Sequence, residues 1–121
     1  MKSKAKVVVV GGGVVGVSTL YHLAKKGWSD VVLIERKALT SGSTWHAAGL
    51  LPLFNMSYSV GQVHRYAVQL YKSLEKETGK NVGFSVVSNI RLAQTQDRMD
   101  EYHQYAGVAK TIGVDVKFLK P

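Results

Sequence analysis

The sequence reads as an α/β fold built around a parallel strand–helix–strand unit, and three observations carry that reading. Val7-Val8-Val9-Val10 is a β-branched run that stops at three consecutive glycines. A helical stretch without acidic residues follows, closed by Lys25, Lys26 and Gly27. A second apolar run, Val31 to Ile34, then ends in Glu35. Short apolar runs bounded by turn residues are the mark of strands buried on both faces, which parallel sheets require.

Each element has its own signals. The helix is expected from Val14 to Lys26, with Gly16, Leu20, Leu23 and Ala24 on its apolar side. Its last-turn lysines suit the negative end of the dipole, and Gly27 can adopt the left-handed stop. Joining the two strands through this helix implies a right-handed crossover. Thr40-Ser41-Gly42-Ser43-Thr44 reads as a hydroxyl-rich loop, feeding a short helix at Trp45-His46-Ala47-Ala48. From Ser59 to about Thr78, Val60, Val63, Ala67, Leu70 and Leu74 recur at helical spacing. Ser59 and Gln62 fit a capping box there, and Gly79 fits the stop. Phe84 to Thr95 reads as one or two strands with a turn or bulge at Ser88-Asn89. Thr95 is placed to cap a further helix with Met99, Tyr102, Ala106 and Ala109 on one stripe and Gly113 at its end. Asp115 to Leu119 reads as a last strand.

Composition narrows the function classes. The chain has 121 residues, 45% of them hydrophobic and 20% charged, which excludes wholesale disorder. The absence of Cys removes disulfides, a thiolate nucleophile and Cys-ligated metal centres, and fits a reducing compartment. A cytoplasmic location is expected, with the mitochondrial matrix as the alternative if a leader has been removed. The net charge of +8 comes from scattered lysines and four isolated arginines. Without a basic stripe or a docking motif, nucleic acid is not an expected partner. Val7 to Ala24 carries no charged residue and imitates a membrane span, but Gly11-Gly12-Gly13 and the polar Ser18, Thr19 and His22 argue for strand, turn and helix instead. No membrane association and no metal site are expected. No paired carboxylates, metal-ligand spacing or nucleophile elbow is visible, so no catalytic residue is assigned.

Gly11, Gly13 and Gly16 form G-x-G-x-x-G between the first strand and its helix, with an acid, Glu35, closing the next strand. In that context the pattern is the dinucleotide fingerprint of a Rossmann-like fold. Gly11 allows the tight turn, Gly13 lets a pyrophosphate reach the backbone, and Gly16 lets helix and strand approach. The amides of Val14 and Val15 face the phosphates at the positive helix end. Glu35 is placed to accept from the ribose hydroxyls, with Arg36 beside it. The alternatives are FAD and a nicotinamide dinucleotide. The hydroxyl loop so soon after Glu35 favours FAD, whose ribityl chain needs a second backbone cradle.

Three segments together resemble the D-amino-acid oxidase-like flavoproteins: Val7 to Gly16, Tyr21 to Trp28 with Val31 to Arg36, and Ser41 to Leu50. The last, Ser41-Gly42-Ser43-Thr44-Trp45-His46-Ala47-Ala48-Gly49-Leu50, is similar to the flavin-attachment segment of the dimethylglycine and sarcosine dehydrogenase branch. Glu75 to Gly83 and Ser88 to Ala93 look like that branch as well. The resemblance implies that His46 carries FAD covalently through the 8-alpha methyl group. That methyl becomes electrophilic when the oxidised ring tautomerises, so a neutral imidazole nitrogen can add to it. It also implies that Gly42, Ser43 and Thr44 lie near the phosphates and ribityl chain, and that Ala47, Ala48, Gly49 and Leu50 line the flavin side. Trp45 stacks on the cofactor or packs.

The expected function is therefore FAD-dependent oxidative demethylation of an N-methylated glycine. The implied partners are a small amine substrate, an acceptor such as an electron-transfer flavoprotein or oxygen, and the rest of the same polypeptide. Residues 1–121 are expected to be the N-terminal part of an FAD-binding domain, poor at holding FAD alone and without turnover. The rival readings are a non-catalytic regulatory relative and a nicotinamide dehydrogenase domain. His22 and His103 are expected to be structural or surface residues, as are Tyr66, Tyr71, Tyr102 and Tyr105. His64 shows no partner in the sequence, and Arg91 reads as a surface residue with the option of binding a carboxylate.

Overall fold

A computed structural model describes residues 3–120. Strand β1 (Val7–Val10), helix α1 (Val14–Lys25) and strand β2 (Val31–Ile34) come first, followed by a 3-10 turn at Ser43–His46. Helices α2 (Tyr58–Thr78) and α3 (Gln96–Thr111) complete the regular structure. The chain divides into two compact units, Met1–Leu50 and Leu51–Pro121.

In the first unit β1 and β2 pair in parallel, Val7 opposite Val31 through Val10 opposite Ile34. Helix α1 packs on both strands. The strand–helix–strand unit therefore stands where the sequence places it. Helix α1 ends at Lys25, one residue early, and Gly27 takes the left-handed conformation at φ 84°. The Gly27 amide donates to the Ala24 carbonyl at 2.9 Å and Trp28 to Leu23 at 3.0 Å, which satisfies carbonyls the helix leaves open.

In the second unit α2 and α3 pack together. The buried Ile112, just past α3, seats its side chain on Gly61 of α2, where a Cβ would fall 2.5 Å from Ile112 Cδ1. Gly79 caps α2 in the left-handed conformation and Thr95 caps α3 by accepting from the Arg98 amide, both as expected.

Three expectations need correction. Helix α2 is capped by Ser57, whose hydroxyl accepts from the Val60 amide at 3.3 Å, so the Ser59–Gln62 box does not form. Ser59 lies inside the first turn, where its own amide is one of the helix's open donors. No strand forms at Phe84 to Thr95 or at Asp115 to Leu119. The residue types favour extended backbone, but a ladder needs a partner edge, and none lies beside these segments among the described residues. The adjacent Val86 and Val87 are 72% and 79% exposed, so the segment has no buried face to set a register. The helix expected at Trp45 to Ala48 is instead the 3-10 turn Ser43–His46, with Ala47 extended.

No helix among the described residues is long and apolar enough to cross a membrane. No group of three or more His, Asp or Glu among them is arranged to hold a metal ion.

Candidate cofactor site

The site is assembled on the β1–α1 turn. Gly11 sits at φ 104°, a region closed to most side chains, and its amide donates to the Ile34 carbonyl at 2.8 Å. This bond ties the turn to the end of β2. Gly16 lies so close to the Gly11 carbonyl that a Cβ there would fall well inside van der Waals contact. Gly13 is the N-cap residue of α1, with extended backbone and no side-chain cap. The first turn of α1 contains no acid, so its positive end faces outward without an internal counter-charge.

The Glu35 carboxylate is drawn into this turn. Its Oε2 accepts from the Gly12 amide at 2.7 Å and its Oε1 from the Lys37 amide at 2.8 Å. These N–H groups, Gly12 first and then Lys37, hold the carboxyl below its usual range, against a smaller opposing effect of burial. Each oxygen keeps a further lone pair for an outside donor such as a ribose hydroxyl. Because the folded value is lowered, Glu35 stabilises the fold above the ordinary carboxylate range and loses that contribution as pH falls through its own lower value. Replacing Glu35 by Gln is therefore expected to lower the thermal midpoint at pH 7 and to leave it nearly unchanged in acid. Melting curves of both proteins from pH 7 to pH 3 check this.

The hydroxyl loop returns to the same turn. Thr40 takes a left-handed conformation at φ 64°, and its amide donates to the Gly12 carbonyl at 2.9 Å. Trp45 donates back to Thr40 O at 3.1 Å and Ala47 to Thr44 O at 3.2 Å, which closes the 3-10 turn. Thr44 Oγ1 thereby accepts from the Val14 amide at 2.9 Å, at the positive end of α1. Leu39 covers Gly12, where a Cβ would approach Leu39 Cδ2 to 2.5 Å.

Together these segments line an open cleft of about 640 Å³. Of the residues singled out in the sequence, Gly11, Gly13, Val14, Val15, Gly16, Glu35, Arg36, Gly42, Ser43, Thr44 and Ala47 border it. Trp45, 76% exposed, instead lines a smaller hollow of about 390 Å³ with Leu39, Thr40 and Ser41. His46 ends the 3-10 turn with its side chain exposed, and Ala48, Gly49 and Leu50 continue outward as exposed chain. Gly12, Leu39 and Lys37 also belong to the site. The middle glycine of Gly11-Gly12-Gly13 and the nearness of Lys37 to Glu35 are visible in the sequence, whereas the Leu39 contact depends on the return of the loop.

The remaining candidates lie elsewhere. His22 bonds back to Ser18 O at 2.7 Å within α1, a structural role as expected. His64 does have a partner, the Pro52 carbonyl, 2.6 Å from Nδ1. His103 stacks on Phe118 with ring centroids 4.1 Å apart.

A family model described as FAD dependent oxidoreductase, the DAO family, matches residues 6–121. The chain belongs to this family. Rat mitochondrial dimethylglycine dehydrogenase is 52% identical over 84% of the chain, which spans 12% of that enzyme. Human mitochondrial sarcosine dehydrogenase is 42% identical over the whole chain and 13% of its own length. The mitochondrial pyruvate dehydrogenase phosphatase regulatory subunit of mouse is 37% identical, again over the whole chain and 14% of its length. Among solved structures, L-proline dehydrogenase from P. horikoshii superposes with a TM-score of 0.80 at 26% identity, covering 93% of this chain and 29% of that one. The α/β fold is therefore that of an FAD-dependent oxidoreductase family, and the chain spans about an eighth of the length of these curated relatives.

The residues present fit an adenine dinucleotide of this kind. A helix end whose N-cap residue has no side chain and whose first turn has no acid suits a pyrophosphate, and the turn admits no side chain at Gly16. Glu35 keeps acceptor capacity beside the turn, and Ser43 and Thr44 border the same cleft.

Proposed function

We propose that the chain supplies the dinucleotide cradle and the flavin attachment point of an FAD-dependent oxidoreductase acting on an N-methylated glycine, such as dimethylglycine or sarcosine. The observation that carries the reading is the convergence of the glycine turn, Glu35 and the Thr44 loop on one cleft, in a chain 52% identical to a dimethylglycine dehydrogenase.

The roles follow from local chemistry. Of the first-turn amides of α1, that of Val14 is taken by Thr44 Oγ1 rather than facing the phosphates as expected, and those of Val15 and Gly16 bind the pyrophosphate, with Gly11 and Gly13 giving it access to the backbone. Glu35 accepts from the adenosine ribose hydroxyls while its two amide bonds fix its orientation. Arg36, Gly42 and Ser43 flank the phosphates, and Thr44 braces the loop against Val14. Ala47 to Leu50, with Trp45, border the isoalloxazine side, and a ring nitrogen of His46 holds the 8-alpha carbon. FAD, when bound, supplies the acceptor for the hydride equivalent removed from the N-methyl carbon. The substrate is a small amine, and electrons leave to an electron-transfer flavoprotein or to oxygen. The mitochondrial names of the relatives support the mitochondrial alternative over the cytoplasm.

A regulatory role is the second reading, and the similarity to the phosphatase regulatory subunit favours it specifically. Visible flavin absorbance in the purified holoprotein, bleached by dimethylglycine or sarcosine with release of formaldehyde, is the expected result. A colourless protein, or bound flavin that neither amine reduces, contradicts the enzymatic reading. The 121-residue chain by itself is expected to bind FAD weakly, and saturable stoichiometric binding would contradict that.

A further inference from the structure

The cofactor reading leaves Arg91 unused, although its side chain is exposed and yet firmly held. Its Nη2 donates to the Phe54 carbonyl at 2.9 Å and its Nε to Asn89 Oδ1 at 3.3 Å. The guanidinium lies 4.9 Å from the centre of the Phe54 ring and 6.0 Å from that of Tyr105. Those rings are fixed in turn, with Phe54 and Tyr105 centroids 5.4 Å apart and the Tyr105 hydroxyl donating to Glu101 at 2.8 Å. Glu101 is committed to Arg98 and Tyr105. No carboxylate among the described residues pairs with Arg91, and both Nη1 hydrogens and one on Nη2 have no protein acceptor among them.

An ordinary surface arginine loses rotamer freedom when it grips an anion. Here Phe54, Tyr105 and Asn89 have already removed that freedom, and the open Nη1–Nη2 edge matches the two oxygens of one carboxylate.

We propose that Arg91 anchors a binding site for a small carboxylate on the second unit. The ligand's source rests on the proposed function, because an N-methylated glycine carries such a carboxylate; a separate carboxylate ligand has the same chemistry.

The test uses the holoprotein with Arg91→Gln and Arg91→Lys, the second keeping charge and stem should the first disturb folding. Calorimetric titrations use acetate, N,N-dimethylglycine and, as an amine without carboxylate, N,N-dimethylethanolamine. Acetate and dimethylglycine are expected to bind the parent, to weaken at least about tenfold in R91Q and to weaken less in R91K, as loss of charge-assisted hydrogen bonds requires. Dimethylethanolamine binding is expected to be unchanged. A raised KM for dimethylglycine with unchanged kcat identifies the substrate as the source, and an unchanged KM identifies a separate carboxylate. Arg91-dependent binding without any turnover sinks the proposed function and leaves this site standing. No carboxylate binding to the parent, or equal affinity in all three proteins, overturns the site, even if the variants melt earlier.

Discussion

Gly16→Ala is expected to abolish flavin retention and to cost the first unit about 3 kcal/mol or more, the upper end of what overpacking costs. The new Cβ meets the Gly11 carbonyl, which is backbone and has no flexible end to swing away. Retreat is blocked as well. Gly11 is held at φ 104° by its own amide bond to Ile34, so moving its carbonyl loosens the turn from β2 and withdraws the amides proposed to face the pyrophosphate. Gly27→Ala is the contrasting control. It strains a left-handed glycine, at φ 84°, whereas Gly16 is helical, and its Cβ points into open space. That substitution is expected to cost only about 1–2 kcal/mol and to keep the flavin. Bound flavin absorbance and melting temperature of the two variants decide the ranking; equal losses would show that the close approach at Gly16 carries no special cost.

His46→Ala is expected to leave FAD bound in the native protein but to release it on denaturation. The cradle around Gly11, Glu35 and Thr44 does not use the imidazole, so non-covalent affinity survives. The covalent link is proposed to raise the reduction potential of the flavin. Without it, amine oxidation is expected to slow about tenfold or more, equivalent to about 1.4 kcal/mol in the barrier. Precipitation in acid separates the outcomes. Flavin in the supernatant from the variant but in the pellet from the parent supports the role of His46, and the same partition for both removes it.

The parts legible in the sequence were those set by local chemistry. Val7–Val10, the glycine turn and Val31–Ile34 declare themselves by residue type over a few positions, and Gly79 and Thr95 act as helix ends wherever the chain goes afterwards. The illegible parts depend on partners distant in sequence. Glu35 reads as a ribose acceptor, but its bond from the Gly12 amide appears only when the turn and the end of β2 meet. Thr44 reads as a loop hydroxyl, and its contact with Val14 depends on Thr40 turning back in a left-handed conformation that no β-branched residue advertises. Phe84 to Thr95 reads as strand because Val86, Val87, Ile90 and Leu92 favour extended backbone, while pairing is a property of two segments. Ser57 and Ser59 are both competent caps, and choosing between them depends on where α2 begins, a boundary that periodicity places only within a residue or two.

The central claim is that this chain holds the flavin of an amine oxidoreductase through His46. Tryptic digestion of the holoprotein releases the segment from Ala38 to Arg65, which contains the whole hydroxyl loop and His46. Its mass is expected to exceed the unmodified value by one covalently bound FAD, with fragmentation placing the addition on His46. The unmodified mass for that peptide, from a protein that carries stoichiometric flavin before digestion, would contradict the claim.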